Sequence, residues 1–264
     1  MQPAHPSLRT SAYGAAQRMR KVTAVTFDLW DTLVREVPGG SDRVASLRTH
    51  RIAELLEGIG RPHDVEEVEE AYRKTGTFLD LTWGKSRDMP VRDHVLFMLS
   101  CIECRLPGKM TNEEISEVER IYADSILEHP PELLPGAKEA LRAVSEKGYR
   151  VGLISNTGKT PGSTLRVLMG RMGILDIFHV TTFSNEIMVR KPAEAAFRVT
   201  LEQLKVLPKA AAHVGDDPEK DIAGAKRVGM HAVQVMAHAK SPAEEADART
   251  DTMDGGREAL ERVG

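Results

Sequence analysis

The run Val22-Thr-Ala-Val-Thr-Phe27 closes on Asp28, and its reading decides the fold. Its β-branched side chains read as a buried strand, and the strand delivers a carboxylate at its carboxyl end. The same pattern recurs downstream. Tyr149-Arg-Val-Gly-Leu-Ile154 predicts a strand ending at Ser155-Asn156, and Ala211-Ala-His-Val214 predicts one ending at Gly215-Asp216. Shorter strands are expected over 178–183 and 231–235, with helices over 137–146, 163–172, 193–205 and 219–228. Strand and helix in alternation imply an α/β fold, a doubly wound, Rossmann-like parallel sheet with right-handed crossovers. Sheets of this kind bind ligands beyond the carboxyl ends of their strands.

Between these βα units the pattern changes. Segments 43–59, 64–83, 90–105 and 111–128 place apolar residues three and four apart, punctuated at Gly60, Pro62, Pro90 and Pro107-Gly108. Thr111-Asn-Glu-Glu ahead of an apolar run reads as a capping box. With no strand expected inside it, 36–134 reads as an inserted helical domain, leaving 21–35 and 135–264 as the core. Residues 1–20 are polar, basic and without periodicity, and read as a flexible arm; 256–263 reads as a closing helix.

Composition narrows the function. Of 264 residues, 41% are hydrophobic and 28% charged, as in a globular chain able to bury a core. A net charge of −3 offers no electrostatic footprint for nucleic acid or an anionic membrane. No signal-peptide h-region or run of membrane-spanning length is found, so the cytosol is the expected compartment. Cys101 and Cys104 are too few for a disulfide framework and lack the partners of a zinc site. Two small residues on one helix face is the plainer reading of that pair. The chain is expected to be a monomer or homodimer.

A parallel sheet carries Asp28, Ser155-Asn156 and Gly215-Asp216-Asp217 to one edge, and Arg190-Lys191-Pro192 stands apart as a further basic element. Their convergence points to an active site, although each alone also reads as an ordinary loop or cap residue. The segments Phe27-Asp28-Leu29-Trp30-Asp31-Thr32-Leu33, Ile154-Ser155-Asn156, Arg190-Lys191-Pro192 and Gly215-Asp216-Asp217-Pro218-Glu219-Lys220-Asp221 resemble, in order and spacing, the four motifs of the haloacid dehalogenase superfamily. The helical insertion resembles the cap of its capped members. The resemblance implies Asp28 as covalent nucleophile, with Thr32 in the same motif, and Ser155, beside Asn156, as donor to a non-bridging oxygen. It also implies Lys191 as the cation that offsets charge in the transition state. Mg²⁺ would be held by Asp28, the Trp30 carbonyl and Asp216, with Asp217 or Asp221 supporting that shell. An N-terminal carboxylate there also reads as a helix cap, Asp221 in particular.

The sequence departs from the superfamily at one position. Its phosphatases carry an acid/base Asp two residues after the nucleophile, where this chain has Trp30; Asp31 fills a slot that is often Gly or Asp. General acid–base help is worth roughly 10²- to 10⁴-fold, so poor leaving groups would suffer most. The dehalogenases of the superfamily also have an aromatic residue there, yet they lack the metal-binding fourth motif that this chain keeps. Phosphoryl chemistry on a small anionic metabolite is therefore expected, ahead of dehalogenation and of a binding protein without turnover. Within the helical insertion, Arg43, Arg48, Trp83, Lys85, Arg87 and His94 are the candidates to meet such a substrate, or are ordinary helix-surface residues.

Overall fold

The computed structural model describes residues 22–253 and 255, so the arm expected over 1–20 and the helix over 256–263 lie outside the described residues. The chain opens with β1 (Ala24–Phe27), buried along its whole length, and turns back into the two-residue β2 (Val34–Arg35). The helical insertion follows: α1 (Gly40–Gly58), α2 (Val65–Trp83), α3 (Val91–Ile102), α4 (Leu106–Lys109) and α5 (Asn112–Asp124). β3 (Glu132–Leu133) then pairs antiparallel with β2, with Val34 opposite Leu133. From there the chain runs through α6 (Ala137–Glu146), β4 (Arg150–Ser155), α7 (Gly162–Arg171), β5 (Val180–Phe183), α8 (Ser184–Ile187) and α9 (Glu194–Leu204). It finishes with β6 (Ala211–Gly215), α10 (Gly224–Arg227), β7 (His231–Val235) and β8 (Ala248–Thr250).

The main sheet has the order β5-β4-β1-β6-β7-β8 and is parallel throughout. β1 is central because both faces are covered. Phe27 and Val25 pack with Leu141 of α6 and Leu165 of α7, while Ala24 packs on the other face with Phe197 and Leu201 of α9. Alternate side chains of a strand point to opposite faces, and this alternation separates the two clusters. After β1 the chain builds outward on one side through β4 and β5, then crosses to β6 on the other. The resulting switch point lies at the carboxyl end of β1, where such sheets bind ligands.

The insertion has a core of its own. Ile52, Leu56, Val68, Val95, Met98, Leu99, Val118 and Tyr122 are buried together. Two capping boxes start its helices, the expected one at Thr111 and Glu114 and another at Asp64 and Glu67. Some details differ from the sequence reading. The stretch 36–134 is not free of strand, since β3 falls inside it; a two-residue strand is too short to leave a period. The helix expected over 90–105 ends at Ile102, where Glu103 turns extended. The helix expected over 219–228 begins as a π-helical turn over Pro218–Ala223. Among the described residues no helix is long and apolar enough to cross a membrane.

Candidate active site

Asp28 is fixed by the sheet before its side chain meets anything. Its backbone N–H donates to the Val214 carbonyl at 2.9 Å, extending the β1–β6 ladder by one residue. Beyond it the chain folds back: Leu33 N–H donates to Leu29 O, and Asp31 sits at φ 57°. That left-handed conformation suits Asp, Asn or Gly, which explains the residue type at this slot.

The Asp28 carboxylate is 7% exposed and accepts from Lys191 Nζ at 2.6 Å. The same ammonium donates to Asp221 Oδ1 at 2.6 Å, so one lysine stands between two buried carboxylates. Lys191 is held in place by its backbone. Its N–H donates to Asn156 Oδ1 at 2.8 Å, and its carbonyl accepts from Asn156 Nδ2 at 3.0 Å. Asn156 therefore ties the second motif to the third. Ser155 is 2% exposed, and its hydroxyl makes only a long contact to the Asn156 carbonyl at 3.5 Å. It caps no helix: Pro161 occupies the N-cap of α7.

Asp221 is anchored by two further partners. Asp217 N–H donates to its Oδ2 at 3.0 Å, and His213 Nε2 lies 3.2 Å from Oδ1. His213 in turn pairs with Thr26 Oγ1 at 2.8 Å through its other nitrogen. Gly215 makes room for this carboxylate, since a Cβ there would stand 2.3 Å from Asp221 Cγ. Asp216 accepts from Thr32 Oγ1 at 3.3 Å, which brings the first and fourth motifs together. Asp217 has a different duty. Its side chain accepts from the backbone of Glu219 and Lys220 and pairs with Lys220 Nζ at 2.8 Å, capping the turn that follows. The sequence left both Asp217 and Asp221 as supports of the metal shell, with a helix cap as the alternative for Asp221; the structure draws Asp221 inward and leaves Asp217 on the cap.

One carboxylate oxygen each from Asp28, Asp216 and Asp221 lies within 4.8 Å of the others. The crowding is visible in their protonation. Burial, aided by the charges of Asp28 and Asp221, pushes Asp216 up to about 7. Burial and the Asp221 charge likewise push Asp28 up to about 7 against the pull of Lys191. For Asp221 burial also opposes ionisation, but Lys191 and the His213 hydrogen bond prevail and hold it well below the usual carboxylate range. Burial disfavours the Lys191 ammonium, and Asp221 and Asp28 outweigh that effect and keep it charged. Three converging oxygens with a single lysine among them fit a hard divalent cation such as Mg²⁺, which prefers oxygen ligands.

Above the strand ends lies a cavity of about 600 Å³. Trp30, Asn156 and Arg190 line it from the core, and Arg48, Tyr72 and Trp83 from the insertion. Of the candidates in the insertion, only Arg48 and Trp83 reach it; Arg43, Lys85 and Arg87 are exposed elsewhere, and His94 is buried behind it.

Two residues outside the sequence-based candidates matter here. His213 interrupts an otherwise apolar strand, and a lone polar side chain in a buried run was the available signal. Asp88 gave none. This buried carboxylate of the insertion accepts from Arg190 Nη1 at 2.7 Å, Ser184 Oγ at 2.5 Å, Thr157 Oγ1 at 3.2 Å and Trp83 Nε1 at 3.0 Å. It thereby joins the insertion to the loops carrying Asn156 and Lys191.

Comparison with known proteins agrees with this geometry. Residues 22–229 match the model of the haloacid dehalogenase-like hydrolase family. The chain is 28% identical over 221 residues to haloacid dehalogenase-like hydrolase domain-containing protein 3 of Xenopus laevis, covering 83% of this chain and 85% of that one. It is 29% identical over 241 residues to a ribulose-1,5-bisphosphate 5-phosphatase of Halopiger xanaduensis, covering 91% and 92%. A crystal structure of 2-haloacid dehalogenase from Pseudomonas syringae superposes with a TM-score of 0.67 at 23% identity, over 92% of this chain and all of that one, which is a likeness of fold. With its parallel sheet, its four ordered motifs and a family match over most of its length, the chain belongs to the haloacid dehalogenase-like hydrolases.

Proposed function

We propose that this hydrolase is a magnesium-dependent phosphatase that cleaves a small phosphorylated metabolite through a phosphoryl group carried on Asp28. The observation that carries the reading is the convergence of Asp28, Asp216 and Asp221 with Lys191 between two of them. Dehalogenation has no need of a third carboxylate placed to share a cation. The relative from Halopiger xanaduensis, named as a phosphatase, supports the same reading.

In this account an Asp28 oxygen attacks phosphorus, the ester P–O bond breaks, and the leaving oxygen departs with its electron pair. Water then attacks the phosphorus of the acyl phosphate, freeing phosphate and regenerating the Asp28 carboxylate. Lys191 holds Asp28 in line, and the Ser155 hydroxyl is available to donate to a non-bridging oxygen. Bound at the three carboxylates, Mg²⁺ would screen the nucleophile from the anionic phosphoryl group. Trp30 cannot protonate the leaving oxygen, so esters of acidic alcohols and acyl phosphates are the favoured substrates.

Phosphate release from acetyl phosphate and p-nitrophenyl phosphate, with Mg²⁺ and with EDTA, tests the reading. Release is expected only with the metal, and Asp28→Asn is expected to lose more than about 10³-fold. Trp30 favours a second reading, carbon–halogen cleavage, because a halide leaves without a proton. Chloride release from 2-chloropropionate that ignores EDTA, with neither phosphate compound turned over, would select it.

A further inference from the structure

The buried face of α1 carries Val44, Arg48, Ile52 and Leu56 at intervals of four, so an arginine stands in an apolar stripe. Arg48 is 4% exposed and lines the cavity. Its Nε donates to the Tyr122 carbonyl at 2.6 Å, Nη1 to the Tyr72 hydroxyl at 3.0 Å and Nη2 to Thr160 Oγ1 at 2.7 Å. All three acceptors are neutral. They orient the guanidinium without balancing its charge, and Arg48 forms no ion pair among the described residues.

A second cation stands beside it. Lys159, on the loop that follows Ser155-Asn156, also lines the cavity and is half-buried. Its Nζ lies 3.7 Å from the centroid of the Tyr72 ring, the ring whose hydroxyl accepts from Arg48. Lys159 too has no carboxylate partner among the described residues. The other buried cations near the cavity are paired, Lys191 with Asp28 and Asp221, and Arg190 with Asp88. The carboxylates in the cavity wall, Glu36, Asp42 and Asp80, are exposed. A charge withdrawn from water without a counter-ion is expensive, and an arginine fork suits a planar or tetrahedral oxyanion.

We infer that the substrate carries a second compact oxyanion, a carboxylate or another phosphate, which Arg48 and Lys159 receive while the phosphoryl group faces Asp28. This deepens the phosphatase reading and rests on it. The cavity adjoins the catalytic residues: Asn156, next to Ser155, and Arg190, next to Lys191, line it together with Trp30, Arg48 and Lys159.

Two matched pairs of esters test the inference with the full chain and Mg²⁺. One pair is 3-phosphoglycerate against glycerol 3-phosphate, which differ by a carboxylate. The other is propane-1,3-diol bisphosphate against its monophosphate. In at least one pair the doubly anionic member is expected to show about ten- to a hundredfold higher kcat/KM, carried mainly in KM, as for one charged hydrogen-bond partner. Lys159→Ala, at a half-buried loop position, is expected to bring that ratio toward one. Arg48→Met should do the same, and Arg48→Lys should recover part of it. Ratios near one in both pairs, or a ratio that survives both Lys159→Ala and Arg48→Met, would overturn the inference. If none of the four alkyl esters turns over, as the missing proton donor at Trp30 allows, the phosphatase reading is decided by acetyl phosphate and p-nitrophenyl phosphate and fails if those too are inert. Calorimetric titration of the same four compounds then reads the subsite. A tenfold preference for a doubly anionic member that Lys159→Ala abolishes supports it, and equal or absent binding overturns it.

Discussion

The strand ends and the cavity beside them carry uncompensated charge of opposite sign. At the strand ends, three carboxylates crowd together with one lysine among them, and two of the three are pushed up to about 7. In the cavity, Arg48 of the insertion donates to the Tyr72 hydroxyl and Lys159 of the core stands over the Tyr72 ring, neither with a carboxylate partner among the described residues. The first has one lysine for three carboxylates, and the two cations of the second have no carboxylate partner among the described residues. The lesson is that a site can be read from the charges its fold leaves uncompensated. Secondary structure fixes the position of Asp28 or Arg48 at little cost, and in the proposed function their charges are completed from outside the chain.

The largest effect is expected from removing the one internal cation at the strand ends. Lys191→Met leaves Asp28 and Asp221 buried without it. The rate of phosphate release should fall about 10²- to 10³-fold. Stability in EDTA should fall by about 3 kcal/mol, because breaking a buried pair strands its partners. Added Mg²⁺ should restore more stability to this variant than to the parent. Urea unfolding with and without the metal measures this, and an unchanged midpoint would break the comparison.

A smaller effect sharpens the other side. His94 lies behind the cavity, fully buried, with neither ring nitrogen hydrogen-bonded among the described residues. Burial lowers its pKa to about 4; Asp88 opposes that shift, and Lys159, Arg48 and Arg190 add to it. The unfolded chain takes up this proton near the ordinary histidine value of about 6.5. The neutral ring therefore supports the fold fully above about pH 6.5. Its contribution is lost as pH falls toward 4, by at most on the order of 3 kcal/mol. His94→Phe should flatten the fall in stability between pH 7 and pH 4.5 in urea unfolding. A slope identical to the parent's would show that the fold does not resist protonation of His94.

Much of this was legible before the structure. Asp28, Ser155 and Asp216 end strands that announce themselves by composition, and a parallel sheet has no choice but to gather them. Lys191 lies on no regular element, and only its resemblance to a motif pointed to it. The roles of Asp217 and Asp221 were not legible, because both lie within one turn of Asp216. Only the π-helical path of Pro218–Ala223 draws Asp221 under Lys191 and leaves Asp217 at the cap. Asp88 escaped because its partners Thr157, Ser184 and Arg190 lie 69, 96 and 102 residues away, a relation no local pattern encodes. Strand β8 escaped because Ala248-Arg-Thr250 is a short edge with neither alternation nor an apolar run. Arg48 was named among six candidates, and the interval of four that sets it on a buried stripe was the sign that separates it from exposed Arg43.

The most direct test concerns Asp28 itself. The chain is mixed with acetyl phosphate and Mg²⁺, quenched within a turnover, reduced with borohydride and digested for peptide mass spectrometry. The account predicts homoserine in place of Asp28, the mark of an acyl phosphate at that carboxylate, and none when EDTA replaces the metal. Turnover of acetyl phosphate with an unmodified Asp28, or with the mark on another carboxylate, would contradict it.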